Sequence, residues 1–401
     1  MRICGVVSEY NPFHKGHAYQ IEQAKSHLGE DSAVVCCMSS DFVQRGDAAI
    51  LPKHLRAKAA VLGGADVVLE LPAPYALRSA EGFAQSAVDI LLGTGVITDL
   101  SFGAEDADAG LLHETASLLL EHQTVQDTLL HLKTGISYAA ARERALYARV
   151  KEKAEILQKP NNILAVEYCK ALIRRESAVN LLPIERKGAG HDAGAEGEYA
   201  SASYIREFLR EGKTDEALPY LPETTVAILK ESMESGHALL DQSRLENAML
   251  SSLVRLTADD LAALPDANEG LDNRLLEAIR KGRTIEEICA QAKTKRYALS
   301  RIRRMIFCAY LGITKEESTT PPPYARVLAF SDKGREVLKL ARKRATLPLI
   351  TKPAHAFDLG GDARKIFERE ALACDLYNLA LPCWKDIRWG DDWRKDAIYV
   401  K

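Results

Sequence analysis

Cys4-Gly5-Val6-Val7-Ser8-Glu9-Tyr10-Asn11-Pro12-Phe13-His14-Lys15-Gly16-His17 decides how the rest of the chain is read. Ile3 to Val7 is a short apolar run suited to a buried strand, and Asn11-Pro12 is a turn signal. From Ala18 to Leu28, Tyr19, Ile21, Ala24 and Leu28 recur at roughly helical spacing. The stretch therefore predicts a strand, a turn and a helix that opens on His14-Lys15-Gly16-His17. Unpaired backbone N–H groups and the helix dipole at such an end favour a phosphate, and two imidazoles there add hydrogen bonds to charge developing on it. A bare histidine pair has an equal claim to a surface or core role; the strand, the turn and the aromatic before it shift the balance. Gly16, without a Cβ, lets the helix backbone come close to a ligand.

Composition sets the limits around this stretch. A chain of 401 residues exceeds what one core usually supports, so two or more domains are expected. With 47% hydrophobic and 27% charged residues, it has the composition of an ordinary soluble globular protein. The 53 basic and 56 acidic residues leave a net charge of -3, so a nucleic-acid partner has to be met by a local patch. Eight cysteines show no CxxC pair and no zinc spacing with histidine, which predicts buried free thiols in a reducing cytoplasm. Strand and motif begin almost at Met1, so no signal peptide is expected, and no apolar run approaches the roughly 18 residues of a membrane span.

Further strands are expected at Ala33 to Met38, Ala65 to Leu71, Asp99 to Gly103 and Leu181 to Ile184, with helices between them. That alternation predicts an α/β fold with a Rossmann-like parallel sheet covered on both faces. Loops after strands in such sheets carry ligands. The loop Ser39 to Asp47, with Asp41, Gln44 and Arg45, is therefore a candidate substrate loop, and the basic helix after it, with Lys53, His54, Arg56 and Lys58, is either a solvated face or part of the site. Gly103 lets a base or ribose lie against the backbone, or serves a turn. Ala107 to Gln158 reads as almost continuous helix, broken at Lys159-Pro160-Asn161-Asn162. Asn161 or Asn162 caps the next helix, reads a nucleotide edge, or does both.

Ala200-Ser201-Ala202-Ser203-Tyr204-Ile205-Arg206 is a Ser-rich helix start with an arginine one turn in, by itself a capping box. After an H-x-G-H it also fits a second phosphate site, with hydroxyls, helix N-terminus and Arg206 holding departing phosphates. Beyond about residue 215 the pattern is helical. Within it, Lys293, Lys295, Arg296, Arg301, Arg303 and Arg304 surround Tyr297 with no acidic residue in the run, which suits a polyanion, with Tyr297 as a ring for stacking. Pro321-Pro322-Pro323 reads as a stiff linker, followed by a strand-helix-strand unit and further helices. Three domains are expected: 1–215, with the sheet and the phosphate motifs; 216–320, helical, meeting RNA; and 321–401, a small C-terminal α/β unit.

The strand, Asn-Pro turn and H-x-G-H resemble the nucleotidyltransferase superfamily, whose members attack the α-phosphate of ATP. NPFHKGH, DFVQRGD, GADVVLELP, SFGAED, KPNNILAVEY, ERKGAG, SASYIR and KTKRYALSRIRR, in this order, together resemble the bacterial tRNA(Met) cytidine acetate ligase family. The resemblance implies that acetate attacks ATP to give acetyl-adenylate and pyrophosphate, and that the wobble cytidine of elongator tRNA(Met) then takes the acetyl group. It implies catalytic roles for His14 and His17, and ATP contacts at Val7, Ser8, Glu9, Asn11, Pro12, Phe13, Gly16, Gln20, Gly103, Asn161 or Asn162, Arg186 and Lys187, with Ser201, Ser203 and Arg206 on the pyrophosphate. Asp41 is a candidate proton acceptor in the second step. No carboxylate cluster suggests a resident metal, so magnesium is expected only with the nucleotide. The oligomeric state is left open. Two other readings stand beside this one: a cofactor adenylyltransferase that makes a dinucleotide without RNA, and a non-catalytic nucleotide-dependent RNA-binding protein.

Overall fold

The computed structural model describes residues 1–187 and 194–401, so the end of the ERKGAG stretch, with the following His191, lies outside the described residues. The opening strand is β1 (Ile3–Ser8), and the helix after it is α1 (Lys15–Leu28). Then come β2 (Ala33–Ser39), α2 (Lys53–Leu62), β3 (Val67–Leu71), α3 (Ala80–Gly93), β4 (Asp99–Ala104), α4 (Pro160–Arg174) and β5 (Asn180–Glu185). The five strands are mutually parallel in the order β3-β2-β1-β4-β5, with β1 central and in register with Ala33 to Met38 of β2. Parallel strands need covered faces, and their residues alternate between two cores. Val35, Leu69 and Phe102 pack with Phe83, Val88 and Val166 of α3 and α4. Val6, Val34 and Cys36 pack on the other side with Phe13, Ile21, Ala57 and Ala60.

The stretch expected as almost continuous helix is divided. Helices over Ala109–Leu120, His122–Leu132 and Tyr138–Val150 are separated at Glu121, which is extended, and at Gly135, which has φ +82°; a 3-10 turn spans Lys151–Gln158. After β5 comes α5 (Ala202–Arg210), then a layer of helices ending in α6 (Leu299–Leu311). This layer has its own core, Leu245, Leu253, Leu275, Ile302 and Met305, and that core includes Phe42 of the loop after β2.

The expected C-terminal strand-helix-strand is present as β6 (Ala325–Phe330), α7 (Asp332–Arg344) and β7 (Leu349–Ile350), followed by α8 (Gly361–Asn378) and β8 (Ile398–Tyr399). It builds no sheet of its own: β6 pairs antiparallel with β3, and β7 and β8 pair with β6, giving one sheet of eight strands. The unmet edge of β3 is what β6 covers. A buried ion network fastens the join. Lys53 Nζ lies 2.6 Å from Glu70, 2.8 Å from Glu370 and 2.9 Å from Asp392, and Arg326 pairs with Asp392 at 2.6 Å. The basic helix is thus neither a solvated face nor part of the site: Lys53, His54 and Arg56 are buried. Arg56 donates to the carbonyls of Glu9, Ser39, Ser40 and Leu51, which hold the ends of β1 and β2 together.

Candidate active site

The carboxyl ends of the parallel strands open into a cavity of about 520 Å³, with a narrow side pocket of about 40 Å³ beyond His14 and His17. His14 is the cap of α1. Its Nδ1 accepts from the Gly16 amide at 3.1 Å, while its own amide donates to His17 Nδ1 at 3.3 Å. The rings stack with centroids 3.6 Å apart. With both Nδ1 atoms accepting, each neutral ring carries its proton on Nε2, the donor it can offer to the cavity. Burial, with the positive charges of Arg186 and Arg206, lowers the His14 pKa to about 3. Burial, His14 and Arg186 push His17 well below its usual value. Two neutral stacked donors result, because protonating both rings would put like charges in contact.

The reason for Gly16 is closer to hand than a ligand: a Cβ there would lie 2.9 Å from His14 Cε1 and displace the imidazole. At Gly103 a Cβ would come within 3.2 Å of the Arg186 side chain. Arg186 donates to Asn161 Oδ1 at 3.0 Å, and Asn161 lines the cavity. Asn162 is fully buried and turned away, its Oδ1 accepting from the amides of Glu105 and Asp106. Neither asparagine is the cap of α4. The residue at the cap position, Lys159, makes no side-chain cap; the Glu105 carboxylate, from the end of β4, does that job by accepting from the amides of Asn161 and Asn162 at 3.2 and 2.9 Å.

The second phosphate motif meets the first. Of the two serines that could cap, Ser201 does so, accepting from the Tyr204 amide; with Tyr204 at the third helical position there is no acidic side chain to bond back, so the expected capping box reduces to a single cap. Arg206 donates to the Asn11 carbonyl at 2.7 Å and to Ser203 Oγ at 3.2 Å. Val7, Ser8, Glu9, Asn11, Gln20, Gln44, Arg45, Ser201, Ser203 and Arg206 all line the cavity; Gly16 and Lys187 line the side pocket, where Lys187 Nζ stands 4.3 Å over the Tyr19 ring. Buried Asn11 Nδ2, Gln20 Nε2 and Arg206 Nε have no protein partner. Such atoms at a cavity wall are what an anionic, polar ligand would satisfy.

Four residues expected at ligand contacts, Pro12, Phe13, Asp41 and Tyr297, do not line the cavity. Pro12 and Phe13 are buried beneath the site, with Phe13 edge-on to Tyr10 at 4.9 Å. Asp41 is 1% exposed and does not line the cavity; its Oδ1 accepts the first amide of α2, that of Lys53, at 2.6 Å. In the basic run, Tyr297 is 7% exposed and its hydroxyl donates to the Glu269 carbonyl, so its ring packs in the helical core and does not offer a face to a base. Acidic partners come from an earlier turn: Arg296 and Arg301 pair with Glu269, and Arg304 with Asp266. Lys293, Lys295 and Arg303 are exposed. Ser300 and Arg304 line the cavity itself. So do Phe83, Phe102, Leu164 and Tyr168, which the sequence reading missed; the helical spacing of Asn161, Leu164 and Tyr168 was the available signal.

Among the described residues, one acidic trio, Glu70, Glu370 and Asp392, is close enough for a cation, and the Lys53 ammonium already sits among them.

Strand ends, a stacked H-x-G-H pair and a facing Ser-Arg helix define the class, and a family profile described as HIGH Nucleotidyl Transferase matches residues 1–388. Within that class, the chain belongs to the tRNA(Met) cytidine acetate ligase family. It is 36% identical over 423 residues to the tRNA(Met) cytidine acetate ligase of Thermosipho africanus (strain TCF52B), covering 99% of both chains. It is 38% identical over 420 residues to that of Clostridium kluyveri (strain ATCC 8527), covering 100% of this chain and 99% of the relative. The crystal structure of Thermotoga maritima TmcAL in its apo form I superposes with a TM-score of 0.94 at 31% identity, covering 100% of each chain. The same protein bound with alpha-thio ATP superposes at 0.92 and 32% identity, covering 100% of this chain and 99% of that one.

Proposed function

We propose that this protein activates acetate with ATP and transfers the acetyl group to the wobble cytidine of elongator tRNA(Met). The observation that carries the reading is the stacked His14–His17 pair, each ring held at Nδ1 by a backbone amide, lining one cavity with Arg206 and Ser203. Acetate, already a carboxylate, attacks the α-phosphorus; a P–O bond to acetate forms, and pyrophosphate leaves. Displacement at phosphorus needs position and charge stabilisation more than covalent help. His14 and His17 would hold the α-phosphate oxygens, Arg206, Ser203 and the start of α5 the leaving pyrophosphate, and Gly103, Asn161 and Arg186 the nucleoside side. With Glu9 the one carboxylate among the described cavity-lining residues, magnesium would be carried by the phosphates.

For the tRNA, Lys293, Lys295 and Arg303 are the exposed cations of the basic run, and Arg45 is an exposed cation at the cavity. The test is direct. Acetate-dependent exchange of labelled pyrophosphate into ATP is expected, together with acetylcytidine in tRNA(Met) by nucleoside mass spectrometry. His14→Ala and His17→Ala should each lower exchange about 10²–10³-fold, the usual cost of one transition-state donor. Wild-type protein that gives no acetate-dependent exchange would sink the reading. Exchange without acetylcytidine would leave an adenylyltransferase with another acceptor.

A further inference from the structure

The cavity straddles the ends of β1 and β4, and its two sides differ in chemistry. Neighbouring residues of a strand point to opposite faces. Gly103 opens towards α1 and Arg186, whereas Phe102 faces α3 and α4. On that second side Phe83, Phe102 and Tyr168, none more than 5% exposed, form an aromatic wall with Leu164. The Phe102 and Tyr168 centroids are 5.7 Å apart.

Glu9, just beyond β1, is the one carboxylate among the described residues that line the cavity. Its Oε1 accepts the Gln44 amide at 2.8 Å, and the Gln44 side chain is itself held on the Arg78 carbonyl at 3.1 Å. Glu9 and Tyr168 line the same cavity, and burial, then the charge of Glu9, raise the Tyr168 phenol. A carboxylate is a poor neighbour for ATP phosphates, which it repels. It is a good neighbour for a cytosine, whose N4 amino group donates to carboxylates and whose ring stacks on aromatic side chains.

We propose that this aromatic side, with Glu9 at its inner end, is the subsite for the acceptor cytosine, and that Glu9 takes a proton from N4 during acetyl transfer. The proposal rests on the acetate-ligase reading. The N4 lone pair attacks the acetyl carbonyl carbon and a C–N bond forms. The C–O bond to the adenylate phosphate breaks, AMP leaves with the electron pair, and the N4 proton passes to Glu9 and then to water. The base has to turn out of its stack to enter. Asp41, buried and engaged on α2, is replaced in this role.

Synthetic acetyl-adenylate and tRNA(Met), mixed with the protein without ATP, isolate the step. Wild type should form acetylcytidine. Glu9→Gln keeps an acceptor for the Gln44 amide but should slow single-turnover transfer at saturating tRNA about 100-fold, with Glu9→Asp intermediate. Leu164→Trp, which narrows the aromatic side, should raise the tRNA concentration for half-maximal transfer at least tenfold. Glu9→Gln transferring within threefold of wild type overturns the proton role; an unchanged half-maximal concentration in Leu164→Trp overturns the subsite. Wild type that makes no acetylcytidine from acetyl-adenylate overturns the ligase reading, and the subsite with it.

Discussion

His14 and His17 show how a pair of residues can be given one job by the atoms around them. Each imidazole is committed at Nδ1 to a backbone amide, so tautomer, ring orientation and charge are set before any ligand arrives. Their stability contribution has a definite sign: the unfolded chain binds protons near the ordinary histidine pKa of about 6.5, and the folded one does not. Stability from these two groups is therefore fully present above that pH and falls as pH drops from there towards the His14 value of about 3. Histidine NMR titration should show no protonation of either ring between pH 8 and 5; an inflection near 6.5 at either one would refute the buried neutral pair. Arg206 has a comparable position on the other side of the cavity. Arg206→Lys keeps the charge but cannot span the Asn11 carbonyl and Ser203 together, so pyrophosphate exchange is expected to fall at least tenfold, measured at saturating acetate.

At the scale of elements, the parallel strands were legible because apolar runs of the right length alternate with helical spacing, and the H-x-G-H turn because its residue types are so restricted. What single residues do within the site was less legible. The role of Glu105 depends on where β4 ends relative to α4, and the acidic partners of the basic run sit some thirty residues before it, so local sequence made the run look unpaired. Glu105→Ala removes the cap of α4 and should cost about 1 kcal/mol in thermal unfolding. It also frees Asn161, so a weaker ATP affinity is expected alongside, measured by calorimetry. For the basic run, the pairing divides two sets of residues. Lys293→Ala, Lys295→Ala and Arg303→Ala together should weaken tRNA binding and flatten its salt dependence by up to three ions, with little change in melting temperature. Arg301→Ala, which loses Glu269 and Asn268, should lower the melting temperature instead.

For the whole molecule, the buried network of Lys53, Glu70, Arg326, Glu370 and Asp392 matters most, and it was invisible in sequence because its members are up to 339 residues apart. Lys53→Met leaves the carboxyl groups of Glu70, Glu370 and Asp392 with Arg326 as their one remaining cation in the network and should cost about 3–5 kcal/mol, the usual penalty for breaking a buried pair. Burial, opposed by Lys53 and reinforced by Glu70 and Asp392, pushes the Glu370 carboxyl up to about 8. A raised carboxyl pKa means that the folded state holds a proton that the unfolded state releases. Stability from this group therefore falls as pH rises from about 4.5 to about 8, by up to about 1.4 kcal/mol per pH unit. Glu370→Gln should flatten the decline of melting temperature between pH 6.5 and 8; an equally steep decline would refute the assignment. The same join has a consequence for the order in which the chain is made. On the ribosome, β3 emerges long before β6, and at roughly 5–20 residues per second its edge waits on the order of tens of seconds for its partner. During that wait Lys53 has no arginine-flanked carboxylate from the C-terminal part to neutralise, and the edge of β3 is open to any passing strand. A chain cut before β6 would leave that edge of the sheet uncovered, so the damage from a late stop codon would reach the sheet that carries the site.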